Sequence, residues 1–282
     1  IRNNIISGNS TSGNGGGIHL RIYGSSIVSG NVISGNTASG YGGGIYLWAN
    51  ENGGIQPVDI SNNIVSGNQA ANGAGIYHII DEGHSASWQI PVTFENNTIT
   101  QNLSSQPESG AIWLEAPHAV LNNNNIFGND TTYELYDNRG IGAADLDGEN
   151  NWWGTTDQAT IQAQIYDWSD DGTKQLVDYS PFLTTPATST PPSPPDNLAA
   201  QTGPTSIALS WSANPESDIA GYKVHYDTDA AGYPYANSTD VGNLTSYTLT
   251  GLSTATTYYT AISAYDSDGN ESWVSSDVPA TA

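Results

Sequence analysis

The chain has 282 residues, with 5 Lys and Arg against 28 Asp and Glu and a formal net charge of -23. So acidic a chain is repelled by phosphate backbones and anionic membranes, which excludes nucleic acid as a partner and leaves cations such as Ca²⁺ compatible. It has no Cys, which excludes disulfides and thiol chemistry, and no apolar run of about 18 residues, which excludes insertion into a membrane as a helix.

A six-residue unit recurs five times in the first half of the chain, at steps of 27, 32, 34 and 27 residues, and a Gly-Gly-Ile unit runs in phase with it. Each period holds about three short strands separated by Gly and Asn turns. Because so short a unit buries no apolar face alone, we expect coils stacked about 4.8 Å apart, with turn Asn side chains bonded from coil to coil. The aligned inward column is Ile6, Ile33, Val65, Ile99 and Ile126.

These Asn-x-Ile-Ser-Gly-Asn and Gly-Gly-Gly-Ile coils resemble the right-handed parallel β-helix family, of the pectate-lyase-like type, over residues 1–183. The resemblance implies the fold and an extracellular, secreted or cell-surface protein. It leaves the activity open, because the same architecture hosts lyases, hydrolases, adhesins and tail spikes. The sequence opens at Ile1 inside a repeat, without a signal peptide, so we expect a mature or truncated piece of a longer protein.

Residues 151–154, Asn-Trp-Trp-Gly, resemble the closing segment of many β-helix proteins, which a short helix and a Pro-Phe exit follow. An open solenoid end exposes unpaired strand edges, so a cap is required there. We predict that Trp152, Trp153 and Phe182 form the core of this cap. Arg139, which lies just before the cap, is predicted to pair with Asp145 or Asp147.

Residues 184–196 are rich in Pro, Thr and Ser and predict a stiff, extended linker. Beyond it, strand-like runs recur at the spacing of a β-sandwich. Trp211, the Gly-Tyr-Lys-Val run at 221–224 and Tyr258 resemble landmarks of fibronectin type III modules, whose usual role is that of a spacer. The chain is therefore predicted to be all-β, with a parallel β-helix at 1–183 and a fibronectin type III-like β-sandwich at 197–282.

Strand alternation places the residue after each inward Ile of the Gly-Gly-Ile units on the solvent side. Flat rings in such a row suit the apolar faces of sugars, and flanking Arg and Glu residues bond hydroxyl groups. The alternative is that the aromatic column stabilises neighbouring strands or is covered by the loops that lengthen two coils. We predict a platform for a polysaccharide or cell-surface glycan, formed by His19, Arg21, Tyr46, Trp48, Tyr77 and Trp113.

Catalysis would need two carboxylates across a glycosidic bond, or Ca²⁺-binding acids and a base for a lyase. The candidate residues are Asp81, Glu82, His84 and Glu115. His78 lies on the inward side and is predicted to be a satisfied interior residue. The sequence shows neither a lyase motif nor the paired-Asp and Gly-His-Gly motifs of polygalacturonase-like β-helices, which argues against an enzyme.

Asp266, Asp268 and Asn270 resemble a fragment of a Ca²⁺ loop, without the Gly at the sixth position or the final Glu of an EF-hand. Ca²⁺ is thus compatible, and no cofactor is required. The favoured function is an extracellular cell-surface, sheath or filament protein with an adhesive or glycan-binding role. Its open first coil offers a route to head-to-tail self-association. The alternative is a secreted polysaccharide lyase or glycoside hydrolase with an accessory module.

Overall fold

The computed structural model describes residues 1–49, 57–80, 91–104 and 106–282. They form two units, Ile1–Thr190 and Pro191–Ala282. We number the strands and the helix of the described residues in chain order, β1 to β26 and α1. Among these residues, no helix has the length and apolar character needed to cross a membrane.

The first unit is a parallel β-solenoid in which each full coil contributes a strand to each of three parallel sheets. The five-stranded sheet consists of β1 (Ile5–Ser7), β5 (Val32–Ser34), β9 (Ile64–Ser66), β12 (Thr98–Thr100) and β15 (Asn125–Phe127). One six-stranded sheet, here called the ladder sheet, consists of β3 (Ile18–Ile22), β7 (Ile45–Ala49), β10 (Ile76–Ile80), β13 (Gly110–Leu114), β16 (Tyr133–Asp137) and β18 (Ile165–Tyr166). The other consists of β4 (Ser26–Ser29), β8 (Val58–Ser61), β11 (Val92–Glu95), β14 (Ala119–Asn122), β17 (Leu146–Asp147) and β19 (Val177–Asp178), and a short pair of β2 (Ser10–Thr11) and β6 (Thr37–Ala38).

The interior of the solenoid is a stack of aliphatic side chains. The predicted inward column is confirmed: its members pair in register, all but the half-buried Ile6 are completely buried, and Phe94 lies beside them in the same core. At the far end Trp153 is completely buried and Phe182 packs against the core, as the predicted cap requires, whereas Trp152 is half-buried. The short helix α1 (Gln158–Ala163) follows, N-capped by Asp157.

Two ladders of Asn side chains run along the coils at the turns. In each, the backbone N–H and the Nδ2 of one Asn donate to the Oδ1 of the Asn in the next coil, as from Asn63 to Asn97 at 3.0 and 2.9 Å. The residue before each ladder Asn has positive φ, which explains the recurring Asn-Asn and Gly-Asn pairs because Asn and Gly tolerate this conformation. The first ladder is Asn4, Asn31, Asn63, Asn97, Asn124 and Asn151, and the second is Asn9, Asn36, Asn68, Asn102 and Asn129.

Two sequence predictions about charged and polar interior residues are wrong. Arg139 is buried, but it pairs with Asp137 through two hydrogen bonds, Nε to Oδ1 at 2.7 Å and Nη2 to Oδ2 at 2.8 Å, because Asp137 itself points inward. His78 is inward and completely buried, yet neither ring nitrogen has a hydrogen-bond partner among the described residues.

The second unit is an antiparallel β-sandwich. Its three-stranded sheet is β20 (Ala199–Gly203), β21 (Ser206–Ser210) and β24 (Ser246–Thr250), and its four-stranded sheet is β23 (Asn237–Gly242), β22 (Ile219–Asp227), β25 (Thr257–Asp266) and β26 (Val278–Thr281). Trp211 and Tyr222 pack edge to face in the core between these sheets. Tyr258 accepts a hydrogen bond from the Ser253 N–H at 3.1 Å, which is the backbone contact of the corner tyrosine in such sandwiches.

Candidate functional site

One aromatic column crosses the outer side of the ladder sheet. Parallel pairing in register aligns the residue that follows the inward Ile or Leu of each strand, and these side chains form a cluster separate from the solenoid core. We call this column the aromatic ladder: His19, Tyr46, Tyr77, Trp113, Tyr136 and Tyr166. The sequence pointed to its first four members. Tyr136 and Tyr166 lie in coils that lack the Gly-Gly-Ile unit, and only alternation counted from Leu135 and Ile165 would have found them.

The rings of the aromatic ladder stack on each other rather than facing solvent. Tyr77 and Trp113 lie 6.0 Å apart at an interplanar angle of 8°, and Trp113 and Tyr136 lie 3.8 Å apart at 3°. Tyr46, Tyr77, Trp113 and Tyr136 are only 3–8% exposed. The expectation that this row faces solvent is therefore correct for His19 and wrong for Tyr46, Tyr77 and Trp113, because ring faces that stack on neighbours are withdrawn from water.

The polar edges of the aromatic ladder converge on Glu115. Its Oε1 accepts hydrogen bonds from Tyr77 Oη at 2.8 Å, Trp113 Nε1 at 2.9 Å and Asn138 Nδ2 at 3.2 Å. Lys174 Nζ in turn donates to Asn138 Oδ1 at 2.6 Å. Burial, and then the bond to Glu115, raise the pKa of the Tyr77 phenol, so this hydroxyl remains a donor at neutral pH. Asn138 and Lys174 were not identified from the sequence.

A second column lies two residues further along each strand. It runs through Arg21, Trp48, Ile79, Glu115 and Asn138. The first three are aligned by the pairing of β3 with β7 and of β7 with β10. Glu115 and Asn138 are aligned by backbone hydrogen bonds to the preceding coil. The Arg21 guanidinium lies 4.2 Å from the ring centroid of Trp48 and 5.1 Å from that of Tyr23. Arg21 and Tyr23 are exposed, and Trp48 and Glu115 are half-buried.

The two columns differ in what they offer a ligand. The aromatic ladder offers almost no free ring face, because its members cover one another. The second column offers an exposed Arg–aromatic stack at one end and a carboxylate and amide at the other, which are groups that bond sugar hydroxyls. Of the predicted site residues, the structure thus brings Arg21 and Trp48 together at an accessible surface and places Tyr46, Tyr77 and Trp113 in the buried column beside it.

Of the four catalytic candidates, only Glu115 lies in the described part of the chain. Asp81, Glu82 and His84 lie outside the described residues. Glu115 is described, and its Oε1 is held by three donors from the aromatic ladder and Asn138, an arrangement that fixes the carboxylate in place.

The Ca²⁺ candidates begin at Asp266, the last residue of β25, and continue into the hairpin loop that follows. Asp266 Oδ1 accepts the backbone N–H groups of Asp268 and Asn270 at 3.0 and 2.8 Å, and its Oδ2 accepts Asn270 Nδ2 at 2.8 Å. The carboxylate thus closes the loop by hydrogen bonds. Within the described part of the chain, no group of three or more His, Cys, Asp or Glu residues has the arrangement of a metal site.

Family comparisons match both parts of the chain. Residues 193–278 match the fibronectin type III domain, and residues 32–47 match the Chlamydia polymorphic membrane protein repeat. Residues 193–278 are thus a fibronectin type III domain, and they follow a parallel β-solenoid. No curated protein matches the chain.

Solved structures similar to the chain cover about a third of it. They include the FN1–FN3 domains of chicken CNTN1, with 24% identity and a TM-score of 0.29 over 33% of this chain and 32% of that one. A structure described as a myokine has 21% identity and a TM-score of 0.28 over 32% and 97% of the two chains. The FN5 domain of Drosophila Lar has 25% identity and a TM-score of 0.28 over 32% and 96%. The chain spans about a third of the length of the chicken structure.

Proposed function

We propose that this chain is an extracellular, adhesion-type β-helix protein that binds glycans on the outer side of the ladder sheet. The observation that carries the proposal is the second column, where Arg21 stacks on Trp48 and Tyr23 and the same column continues to Glu115 and Asn138. The aromatic ladder beside it serves as a rigid support and not as the contact surface.

The chemistry of the second column fits hydroxyl-rich ligands. A guanidinium and a carboxylate in one column supply donors and acceptors in fixed positions, and Tyr23, 48% exposed, presents an apolar ring to the C–H face of a sugar. Three donors already orient Glu115 in the folded protein. The entropy cost of ordering its side chain therefore arises on folding and is not incurred again when a ligand binds. Such preorganisation favours recognition at a surface without a deep pocket.

The family matches support the adhesion-type assignment. A fibronectin type III domain and a polymorphic membrane protein repeat in one chain are typical of surface or secreted proteins. Ca²⁺ binding at Asp266, Asp268 and Asn270, and head-to-tail self-association through the first coil, stay predictions.

Affinity electrophoresis in gels that contain single polysaccharides tests the proposal. We expect the full chain to be retarded by at least one polysaccharide, and both Arg21→Ala and Trp48→Ala to lose about tenfold in affinity, the scale of one aromatic contact with a hydrogen bond. Tyr233→Ala is the matched control, because Tyr233 is an aromatic residue of similar exposure to Tyr23 in the second unit. Normal mobility of the wild-type protein across neutral, acidic and basic polysaccharides would refute glycan binding.

A further inference from the structure

Trp168 presents its side chain to solvent at the far end of the ladder sheet. It is 56% exposed, whereas Trp153 of the nearby cap is completely buried. The strand β18 ends at Tyr166, and Trp168 lies in the turn that follows it. The Trp168 N–H donates to Gln175 O at 3.0 Å, and the Gln175 N–H donates to Arg139 O at 3.1 Å, so this turn lies beyond the Asn138 end of the second column.

A cation accompanies this exposed aromatic residue. Lys174 Nζ bonds Asn138 Oδ1 at 2.6 Å and thereby stands at the Trp168 end of the second column. The chain has only 5 Lys and Arg residues. Arg139 is buried with Asp137, and Lys223 pairs with Glu271 in the second unit. Two of the remaining cations, Arg21 and Lys174, thus stand at opposite ends of one column, each beside an exposed aromatic side chain.

We infer that the second column is one continuous binding surface for a neutral polysaccharide chain laid across the coils, with Trp168 and Lys174 as its second anchor. The inference rests on the proposed glycan binding and adds the extent of the site and the class of the ligand. From Arg21 to Asn138 the column crosses four strand spacings of about 4.8 Å, or about 19 Å, and Trp168 lies beyond it, which requires an oligomeric ligand rather than a single sugar.

The negative charge of the protein favours a neutral polymer as the ligand. The Glu115 carboxylate lies next to Asn138 in the column, and the whole chain carries a net charge of -23, so a polyuronate is repelled by the surface it would bind. Arg21 and Lys174 act as local hydrogen-bond donors at the two ends, where a neutral sugar offers hydroxyl oxygens. Trp168 offers a ring for stacking on a sugar face.

The test measures polymer affinity and its dependence on ligand length. Affinity electrophoresis uses barley β-glucan, galactomannan and xyloglucan as neutral probes, and polygalacturonate and alginate as polyanions. For the polymer that binds, calorimetry follows oligosaccharides of two to about eight units. We expect Trp168→Ala and Lys174→Gln to lower polymer affinity about tenfold and to leave the shortest oligosaccharides bound as in the wild type, with Tyr233→Ala as the control. Unchanged thermal unfolding of both variants confirms that they fold.

The results test the second anchor, the neutral ligand and the proposed function separately. If Arg21→Ala and Trp48→Ala lose affinity while Trp168→Ala and Lys174→Gln bind the polymer as the wild type does, the second anchor is refuted and the proposed function stands. Retention by polyanions alone refutes the neutral ligand. If the wild-type chain binds no polysaccharide, the proposed function fails, and this inference fails with it.

Discussion

His78 places an imidazole in the solenoid interior at a position where its neighbours in the same column, Leu47 and Leu114, are aliphatic. Burial, and then the charge of Arg139, lower the pKa of His78 from 6.5 to about 3. The unfolded chain takes up a proton below about pH 6.5, while the folded chain resists it down to about pH 3. The contribution of His78 to stability is therefore lost as the pH falls through this window.

We expect His78→Leu to stabilise the solenoid. At pH 7 the free energy of unfolding should rise by about 1–3 kcal/mol, because a buried polar group without a partner is replaced by a side chain that continues the leucine column. The advantage should grow toward pH 4, by up to about 1.4 kcal/mol per pH unit. Urea denaturation at pH 7, 5.5 and 4 measures it, with the exposed His19→Ala as the control. A pH dependence equal to that of the wild type would contradict the interior assignment.

The ion pair of Arg139 and Asp137 predicts that the stability changes caused by substituting the two residues do not add. Arg139→Met leaves the Asp137 carboxylate buried without its partner and should cost about 3–5 kcal/mol of stability. Asp137→Leu with Arg139→Met removes both charges, and Leu at this position follows Leu114 in register, so the double variant should be more stable than Arg139→Met alone. Urea denaturation of the single and double variants forms the cycle. Costs that simply add would show that the two side chains act independently.

Among the repeated elements, the Asn ladders predict that an Asn→Ala substitution lowers stability by an amount that depends on the coil in which the Asn lies. Asn68 accepts both bonds from Asn36, donates to Asn102 and donates to Ile33 O, all within the buried interior. Asn68→Ala leaves several buried groups unpaired, at about 1–3 kcal/mol for each such group. Asn9→Ala, at the exposed first coil, should cost less than about 1 kcal/mol. Equal losses in thermal or urea unfolding would show that the ladder bonds are exchanged freely for water.

The second Asn ladder ends on a carboxylate. The Asn129 backbone N–H and Nδ2 donate to Glu134 Oε1 and Oε2 at 3.3 and 2.5 Å, so Glu134 takes the place of the next Asn. Burial raises the pKa of Glu134 from 4.5 to about 7, although the bonds from Asn129 act to lower it. The raised pKa means that stability from this group is present below about pH 4.5 and is lost as the pH rises through 7.

We expect Glu134→Gln to keep the end of the ladder and remove its pH dependence. The amide oxygen still accepts a bond from Asn129, and no buried charge forms at alkaline pH. Relative to the wild type, the variant should gain stability between pH 5 and 8, as thermal unfolding across this range measures. Glu108→Gln, at an exposed carboxylate, is the matched control. A gain of the same size at pH 5 and pH 8 would contradict the titration of Glu134.

The repeated elements were largely predictable because each has a local cause. The inward column from Ile33 to Ile126 follows from the repeat, and the Asn ladders follow from Asn at turns stacked in register. The candidate site was less predictable. Alternation gave the direction of Tyr77 and Trp113 correctly, but it says nothing of ring stacking, which depends on the spacing of neighbouring coils. Asn138 and Lys174 were missed because they lie in the last coils, which lack the Gly-Gly-Ile unit, so no sequence period links them to Glu115.

For the whole molecule, the division into two units predicts which unit binds the polysaccharide. Each unit has its own apolar core, with Phe94 and Trp153 in the first and Trp211 and Tyr222 in the second. Near the division after Thr190, each unit has hydrogen bonds of its own. Asn125 bonds Thr190 and Ala187 within the first, and Ser193 N–H donates to Glu216 within the second.

Expressed separately, residues 1–190 and 191–282 should therefore each unfold in a cooperative transition, observable by circular dichroism. The second column lies entirely in residues 1–190, so this piece should keep the polysaccharide affinity of the full chain within about twofold, and 191–282 should show none. Affinity electrophoresis of both pieces in the same gels makes the comparison, with thermal melts to confirm folding. Retention carried by 191–282 alone would move the glycan site to the fibronectin type III domain and refute the solenoid face as the contact surface.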